Sequence, residues 1–162
     1  MMTYSEGMKV VSIDEELIAR VTEGALQSPR RRMNFNFHSS PGDNPHRFLN
    51  VMLRGTYVQP HRHLNPPKSE AFLALRGAGC AVTFDDTGKV VERHYIGDGY
   101  PALGVDIGAG VWHTVVALSD VFVCYEVKPG PWDLATDKEF AAWAPVEGAR
   151  ETERYLSGIL EV

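Results

Sequence analysis

Residues 60–70 read Pro-His-Arg-His-Leu-Asn-Pro-Pro-Lys-Ser-Glu, and they are the most informative part of this chain. In a β-strand, side chains two residues apart point to the same face of the sheet. His61 and His63 are therefore expected to direct their imidazoles at one place, with Arg62 turned away. The pair alone is weak evidence for a metal site, because two histidines at this spacing can also be ordinary residues of a sheet.

Two further polar residues stand at the starts of strand-like runs. Glu70 begins the run Glu70–Arg76, and His113 lies near the start of Trp112–Leu118. If these strands are neighbours, three neutral imidazoles and one carboxylate converge on a volume the size of one ion. The predicted metal ligands are therefore His61, His63, Glu70 and His113.

The donor set restricts the cofactor. Three nitrogens and a carboxylate suit divalent iron, manganese, nickel, copper or zinc better than calcium or magnesium. We expect one divalent transition metal, whose identity the sequence does not give. An ion that prefers octahedral geometry would keep two positions for water, oxygen or a chelating substrate. A four-coordinate zinc held by all four residues would instead form a closed, structural site.

These residues resemble the motifs of a known superfamily. Residues 55–77, with the spacing Gly-x5-His-x-His-x6-Glu-x6-Gly, resemble the first cupin motif with a longer gap before the glutamate. Residues 107–113 resemble the second motif, although Gly108 stands where proline is usual. Neither departure removes a ligand. The resemblance implies an antiparallel β-barrel, or jelly roll, with one metal ion inside.

Within that superfamily, the chain resembles the WbuC-type cupin metalloproteins over residues 13–160. The segments that carry this resemblance are residues 31–38, 60–63, 66–70, 104–107, 110–115 and 137–145. The resemblance implies the same fold and metal site. It also implies a place near bacterial surface-polysaccharide metabolism, which favours a sugar derivative as substrate.

Composition limits the class of protein. The 162 residues suggest one domain, residues 1–162, and 44% hydrophobic and 23% charged residues are ordinary for a soluble globular protein. The net charge of −5 argues against a nucleic-acid partner, which needs a basic face. We expect no membrane partner and a cytoplasmic location, because no long apolar run and no signal-peptide pattern occur. Cys80 and Cys124 lie in apolar strand-like stretches and are expected to be reduced.

Hydrophobic periodicity divides the chain into three regions. Apolar residues at helical spacing predict an N-terminal helix over residues 13–27, with Ser12 as the N-cap of a capping box. Over residues 47–128 the period changes to two, which predicts seven or eight short antiparallel strands and an all-β barrel. Residues 129–162 are expected to pack against the barrel or a partner subunit and to end in a short helix over residues 149–160.

Five further polar residues are candidates for substrate binding: Asn34, Asn36, His38, Lys68 and Asp106. The first three share one face if their stretch is extended, although bonding to loop backbone would explain them equally well. The lysine lies on the loop between two predicted ligands, where it could meet an anion or be solvated. The aspartate could accept a hydrogen bond from a ligand imidazole.

Other residues have simpler interpretations. His46 and His94 follow no such pattern and are interpreted as surface residues. Trp112, next to His113, faces the opposite side and is expected in the core. The sequence has no Gly-x-Ser-x-Gly elbow and no Gly-x-x-x-x-Gly-Lys loop, so nucleophilic catalysis and phosphate cradling are not supported.

Several function hypotheses remain open. The leading one is a metal-dependent enzyme that acts on a small polar substrate, such as a sugar derivative or a carboxylic acid. The second is a non-catalytic protein that binds or senses a small molecule through its metal, and the third is a structural zinc barrel. A second layer of polar side chains at the open side of the metal would favour the enzyme. Small cupins often pair through edge strands, so the resemblance also implies a homodimer.

Overall fold

The computed structural model describes residues 10–161 and, as backbone only, residues 2–3. The helices are α1 (Glu15–Gln27) and α2 (Thr152–Leu160). The strands are β1 (Met2–Thr3), β2 (Arg32–Asn36), β3 (His46–Leu53), β4 (His61–Arg62), β5 (Glu70–Arg76), β6 (Ala78–Phe84), β7 (Val90–Gly97), β8 (Gly104–Ile107), β9 (Trp112–Ala117), β10 (Val121–Lys128) and β11 (Glu139–Phe140).

The strands form two sheets. The first has the order β1-β2-β3-β10-β5-β8, and the second has the order β11-β4-β9-β6-β7. Neighbouring strands are antiparallel, apart from the parallel pair β1 and β2. Strands β3 to β10 coincide with the predicted all-β region, and the cupin jelly roll is confirmed. Strand β2, which periodicity did not count, extends the first sheet.

Apolar side chains from both sheets meet in the interior of the barrel. Phe72, Phe122 and Cys124 from the first sheet pack with Ala81 and Val115 from the second. Separate apolar clusters cover the two outer faces, one beneath α1 and one beneath α2. Alternation along each strand therefore decides whether a side chain enters the barrel or faces a helix.

Helix α1 begins later than the capping box predicted. Its N-cap is Asp14, whose carboxylate accepts a hydrogen bond of 2.9 Å from the backbone N–H of Leu17. Ser12 lies outside the helix and is exposed, so its assignment as the cap was wrong. Asp14 is a suitable N-cap because its carboxylate accepts this hydrogen bond and its negative charge interacts favourably with the positive N-terminal end of the helix dipole.

The C-terminal segment packs on the outer face of the second sheet. Ala141 and Ala144 join the cluster beneath α2. The ring of Trp143 lies 5.1 Å from that of Phe84 and 5.9 Å from that of Trp112. Trp112 is therefore a core residue, on the opposite face of β9 from His113.

Both cysteines are free and buried, in two different apolar clusters. Burial raises the pKa of Cys80 to about 11. No helix within residues 10–161 is long and apolar enough to cross a membrane.

Candidate metal centre

Strands of both sheets bring the four predicted ligands together. His61 of β4 lies directly opposite His113 of β9 in the second sheet, and Glu70 begins β5 in the first. One ligand atom from each of these residues and from His63 lies within 4.8 Å of every other, and all four side chains are buried. The structure thus assembles the whole set that strand alternation predicted.

Each of the three imidazoles is oriented by a backbone carbonyl. The carbonyls that face Nδ1 of His61, His63 and His113 are those of Gln59, Asp137 and Val111 respectively. The distances are 3.0 Å for His61 and 2.8 Å for His113. Because a carbonyl oxygen can only accept, Nδ1 carries the proton in each ring and Nε2 presents a lone pair. This is the tautomer that ligates a metal through Nε2.

The Nε2 atoms surround the Glu70 carboxylate. Nε2 of His63 lies 2.8 Å from Oε1, and Nε2 of His113 lies 3.0 Å from Oε2. With the protons on Nδ1, these contacts place acceptors against acceptors, and Nε2 of His61 and of His63 have no hydrogen-bond donor. Buried polar atoms without partners are costly. One divalent cation at the centre would satisfy all of them, so the residues fit such a metal.

The charge states suit ligation. Burial, followed by the charges of Lys138 and His113, holds the pKa of His61 well below its ordinary value, so this imidazole is neutral. Burial alone would raise the pKa of Glu70, but its charged surroundings, among them the ammonium of Lys128 beside Oε1, keep that pKa well below normal. Neutral imidazoles and an ionised carboxylate are the forms that bind metal.

A buried ionic network adjoins Glu70. Nζ of Lys128 lies 3.3 Å from Oε1 of Glu70, 3.3 Å from Oδ2 of Asp137 and 3.7 Å from Oε1 of Glu126. Nζ of Lys68 lies 3.0 Å from Oδ1 of Asp137. Asp137 thus joins two lysines through its side chain while its backbone carbonyl orients His63.

Asn34 and Asn36 face the interior of the barrel. Asn34 lies opposite Asn50, which lies opposite the core residue Cys124, and directly paired residues share a face. Asn36 likewise lies opposite Phe48, which lies opposite Glu126, so Asn36 and Glu126 face the same side. The amide of Asn34 donates to Oδ1 of Asn36, and that of Asn50 donates to Oε2 of Glu126.

The other three candidates have different places. His38 is buried and stacks on His46 at 4.0 Å, with Nδ1 against the backbone of Arg47. Lys68 is neither solvated nor free for an anion, since Asp137 and the carbonyl of Pro131 bind its ammonium. Asp106 is exposed, and it faces outward because the neighbouring Ile107 on the same strand is buried. The predicted hydrogen bond from a ligand imidazole to Asp106 is therefore absent.

Sequence reasoning missed several residues of this region, and it misplaced one histidine. Asn50, Glu126 and Lys128 face inward because they keep the phase of Met52 and Cys124 on β3 and β10, a signal that alternation could have given. His46 is fully buried, so its interpretation as a surface residue was wrong; the exposed His94 was read correctly. Asp137 gave no local signal.

One family model matches about half of this chain. A family model described as a domain of unknown function, DUF6016, matches residues 13–96 of the 162. The chain belongs to the DUF6016 family. No curated protein matches this DUF6016 chain.

Solved structures similar to the DUF6016 chain share its fold. One is CapF of Staphylococcus aureus, described as a capsular polysaccharide assembling protein, with a TM-score of 0.55 and 22% identity over 67% of this chain and 28% of that one. SO0799 of Shewanella oneidensis has a TM-score of 0.52 and 11% identity, over 67% and 72% of the two chains. KdgF of Halomonas sp. has a TM-score of 0.50 and 16% identity, over 67% and 86%. The DUF6016 chain thus spans less than a third of the CapF chain.

Proposed function

We propose that this chain is a mononuclear metalloenzyme of the cupin fold that acts on a small polar substrate. His61, His63 and His113 would hold a divalent transition metal through Nε2, and Glu70 would hold it through its carboxylate. The observation that carries this proposal is the set of three backbone carbonyls that fix each proton on Nδ1. Those bonds leave three lone pairs converging on one buried carboxylate.

The inward polar layer supports an enzyme over a structural zinc barrel. A closed structural site needs only its four ligands. Here Asn34, Asn36, Asn50 and Glu126 continue the polar lining beyond the ligands, and the Glu126 side chain remains 13% exposed. A substrate that enters this lining would meet amide donors and acceptors of the kind that recognise hydroxyl and carbonyl groups.

Glu126 is the residue that we assign to proton transfer. Burial, followed by the negative charge of Glu70, raises its pKa. A raised pKa brings a carboxyl group closer to the range in which general acids and bases exchange protons. The bound ion would supply Lewis-acid polarisation of a substrate oxygen. Asn50, which donates to Oε2, would hold the carboxyl group in place.

Two substrate classes suit this lining, a sugar derivative and a carboxylic acid. The resemblance to WbuC-type proteins and the fold shared with CapF support surface-polysaccharide metabolism as the setting. We also propose a cytoplasmic location, with which two buried free thiols agree. The described surface exposes Leu73, Leu75 and Leu103 near the β5–β8 edge, and this supports a homodimer through that edge.

Metal content tests the proposal directly. We expect about one equivalent of a divalent transition metal in protein purified without chelators, measured by elemental analysis. The variants His61→Ala, His63→Ala, Glu70→Gln and His113→Ala should each lose it, while the exposed-histidine control His94→Ala should retain it. Equal metal content in all five variants would overturn the proposal.

The polar lining separates catalysis from simple metal binding. Asn36→Ala should keep the metal and weaken a polar ligand by about 1–3 kcal/mol for the lost hydrogen-bond partner. Glu126→Gln should keep both metal and ligand and abolish turnover, because the amide cannot exchange the proton. Retained turnover in Glu126→Gln would remove Glu126 from the mechanism, and a ligand bound but never converted would support a binding or sensing protein.

A further inference from the structure

Lys138 differs from the other lysines of this region. Lys68 and Lys128 are both paired with Asp137, and Lys128 also contacts Glu70 and Glu126. Within residues 10–161, no carboxylate lies within ion-pairing distance of the ammonium of Lys138, although this residue is half-buried.

The strand pairing places Lys138 beside the metal ligands. Strand β11 runs antiparallel to β4, with Glu139 opposite Arg62 and Phe140 opposite His61. The Glu139 carboxylate binds Arg62 on the outside, at 2.8 and 2.9 Å. Since neighbours in an extended chain point to opposite sides, Lys138 and Phe140 lie on the side of the imidazoles. The ring of Phe140 is accordingly 6.1 Å from that of His61.

This proximity has electrostatic consequences. The charge of Lys138 is the largest influence on the pKa of His61 after burial. Burial, followed by the charge of Lys128, lowers the pKa of Lys138 itself, while Glu70, Glu126 and Asp137 raise it. The ammonium therefore lies within the field of the ligand cluster without a direct partner.

The charges around the cluster do not balance once a metal is bound. The chain places three ammonium groups there, those of Lys68, Lys128 and Lys138, and three carboxylates, those of Glu70, Glu126 and Asp137. With Glu126 ionised these six charges cancel, and with Glu126 protonated they leave one positive charge, so a divalent ion leaves at least two positive charges in excess. Excess charge in a buried site is expensive unless it is compensated. The compensation available from outside the chain is an anionic ligand.

We propose that the ligand of this site is a small organic acid whose carboxylate binds the ammonium of Lys138 while a neighbouring oxygen faces the metal. This inference rests on the proposed metal site and selects the acid from the two substrate classes above. The half-exposed Phe140, whose ring lies 6.1 Å from that of His61, is on the same side and would cover the carbon skeleton of a ligand held by Lys138.

The test uses Co²⁺-loaded protein, whose visible absorption reports both metal and ligand binding. The probes are lactate and its neutral analogue lactamide. Lys138→Met should weaken lactate by roughly tenfold to a hundredfold, the usual value of a charge-assisted hydrogen bond, and leave lactamide unchanged. It should also bind Co²⁺ at least as tightly as the wild type, because a repelling charge has been removed.

Two further variants make the result decisive. Lys138→Arg keeps the charge and should retain lactate binding, and the exposed-lysine control Lys89→Met should match the wild type in every measurement. The inference would be overturned if the protein binds Co²⁺ but does not bind lactate, if Lys138→Met leaves lactate affinity unchanged, or if lactate binds no more tightly than lactamide. Each of these results would leave the proposed metal site intact. Failure to bind Co²⁺ would overturn the proposed function itself.

Discussion

The backbone carbonyl of Asp137 accepts the hydrogen bond from Nδ1 of His63, a residue 74 positions earlier in the chain. The side chain of the same aspartate binds Lys68 and Lys128. One residue of the C-terminal segment therefore orients a metal ligand and neutralises the two lysines beside it. Ligand orientation and buried charge compensation therefore depend on one residue from a distant part of the chain.

We expect Asp137→Asn to weaken both the fold and the metal site. The buried ammonium of Lys68 would lose its carboxylate and that of Lys128 would lose one of three, and breaking a buried pair of this kind costs about 3–5 kcal/mol. Metal affinity should fall by less than the roughly tenfold to hundredfold loss that follows removal of a ligand histidine's partner, because the backbone carbonyl that orients His63 is retained. Urea unfolding and metal titration measure the two effects.

The control for that variant is Asp120→Asn, which breaks an ion pair with Arg54 on the surface. Its aspartate is 92% exposed, so the change in the free energy of unfolding should stay below about 1 kcal/mol. Equal effects from the two variants would show that Asp137 has no special role.

Acid should destabilise the metal-free protein through His61. Its pKa in the folded state lies well below the ordinary value of 6.5, so below pH 6.5 the unfolded chain binds a proton that the folded protein does not. Stability is then lost as the pH falls below 6.5, by at most about 1.4 kcal/mol per pH unit for one histidine. His61→Gln should show a shallower slope between pH 6.5 and 5 in chemical unfolding with EDTA present. Parallel slopes would contradict the assignment.

The cap of helix α1 can be tested with two neighbouring residues. Asp14→Ala removes the acceptor for the N–H of Leu17 and should lower the free energy of unfolding by about 1 kcal/mol. Ser12→Ala should change it by less than about 0.5 kcal/mol, because Ser12 is exposed and outside the helix. Thermal unfolding of both variants measures these changes. A larger loss of stability in Ser12→Ala than in Asp14→Ala would show that Ser12, and not Asp14, is the N-cap.

The proposed homodimer depends on the outer face near β5 and β8. Leu73 is 54% exposed and Leu103 is 73% exposed there, which is unfavourable unless a second copy covers them. Sedimentation equilibrium should give twice the protomer mass of 18.0 kDa for the wild type. Leu73→Lys should give the protomer, while Leu134→Lys, at an exposed position elsewhere, should remain dimeric. A wild-type protomer at micromolar concentration would refute the dimer.

Strand alternation was sufficient to predict the barrel and its four candidate ligands. His61, Glu70 and His113 each lie in a short strand and His63 directly follows β4 in the same phase, so a local rule was enough. The same rule would have excluded Asp106, because the neighbouring Ile107 already occupies the interior phase. It also would have included Glu126, which continues the phase of Cys124.

What could not be predicted depends on contacts between distant segments. His46 is buried because it stacks on His38, which lies two residues beyond the end of β2. No periodicity in the sequence encodes that contact. Asp137 and Lys138 lie in an irregular segment with only two residues of strand after them. Their roles follow from the pairing of β11 with β4, which is visible only in the folded chain.

That pairing has a consequence for how the protein is made. All four candidate ligands are synthesised before Asp137, Lys138 and β11. A growing chain therefore carries metal-binding side chains before it carries the carbonyl that fixes His63. The arrangement in which backbone carbonyls orient all three imidazoles can therefore form only after residue 137 has been added, when the four ligands are already present in the chain.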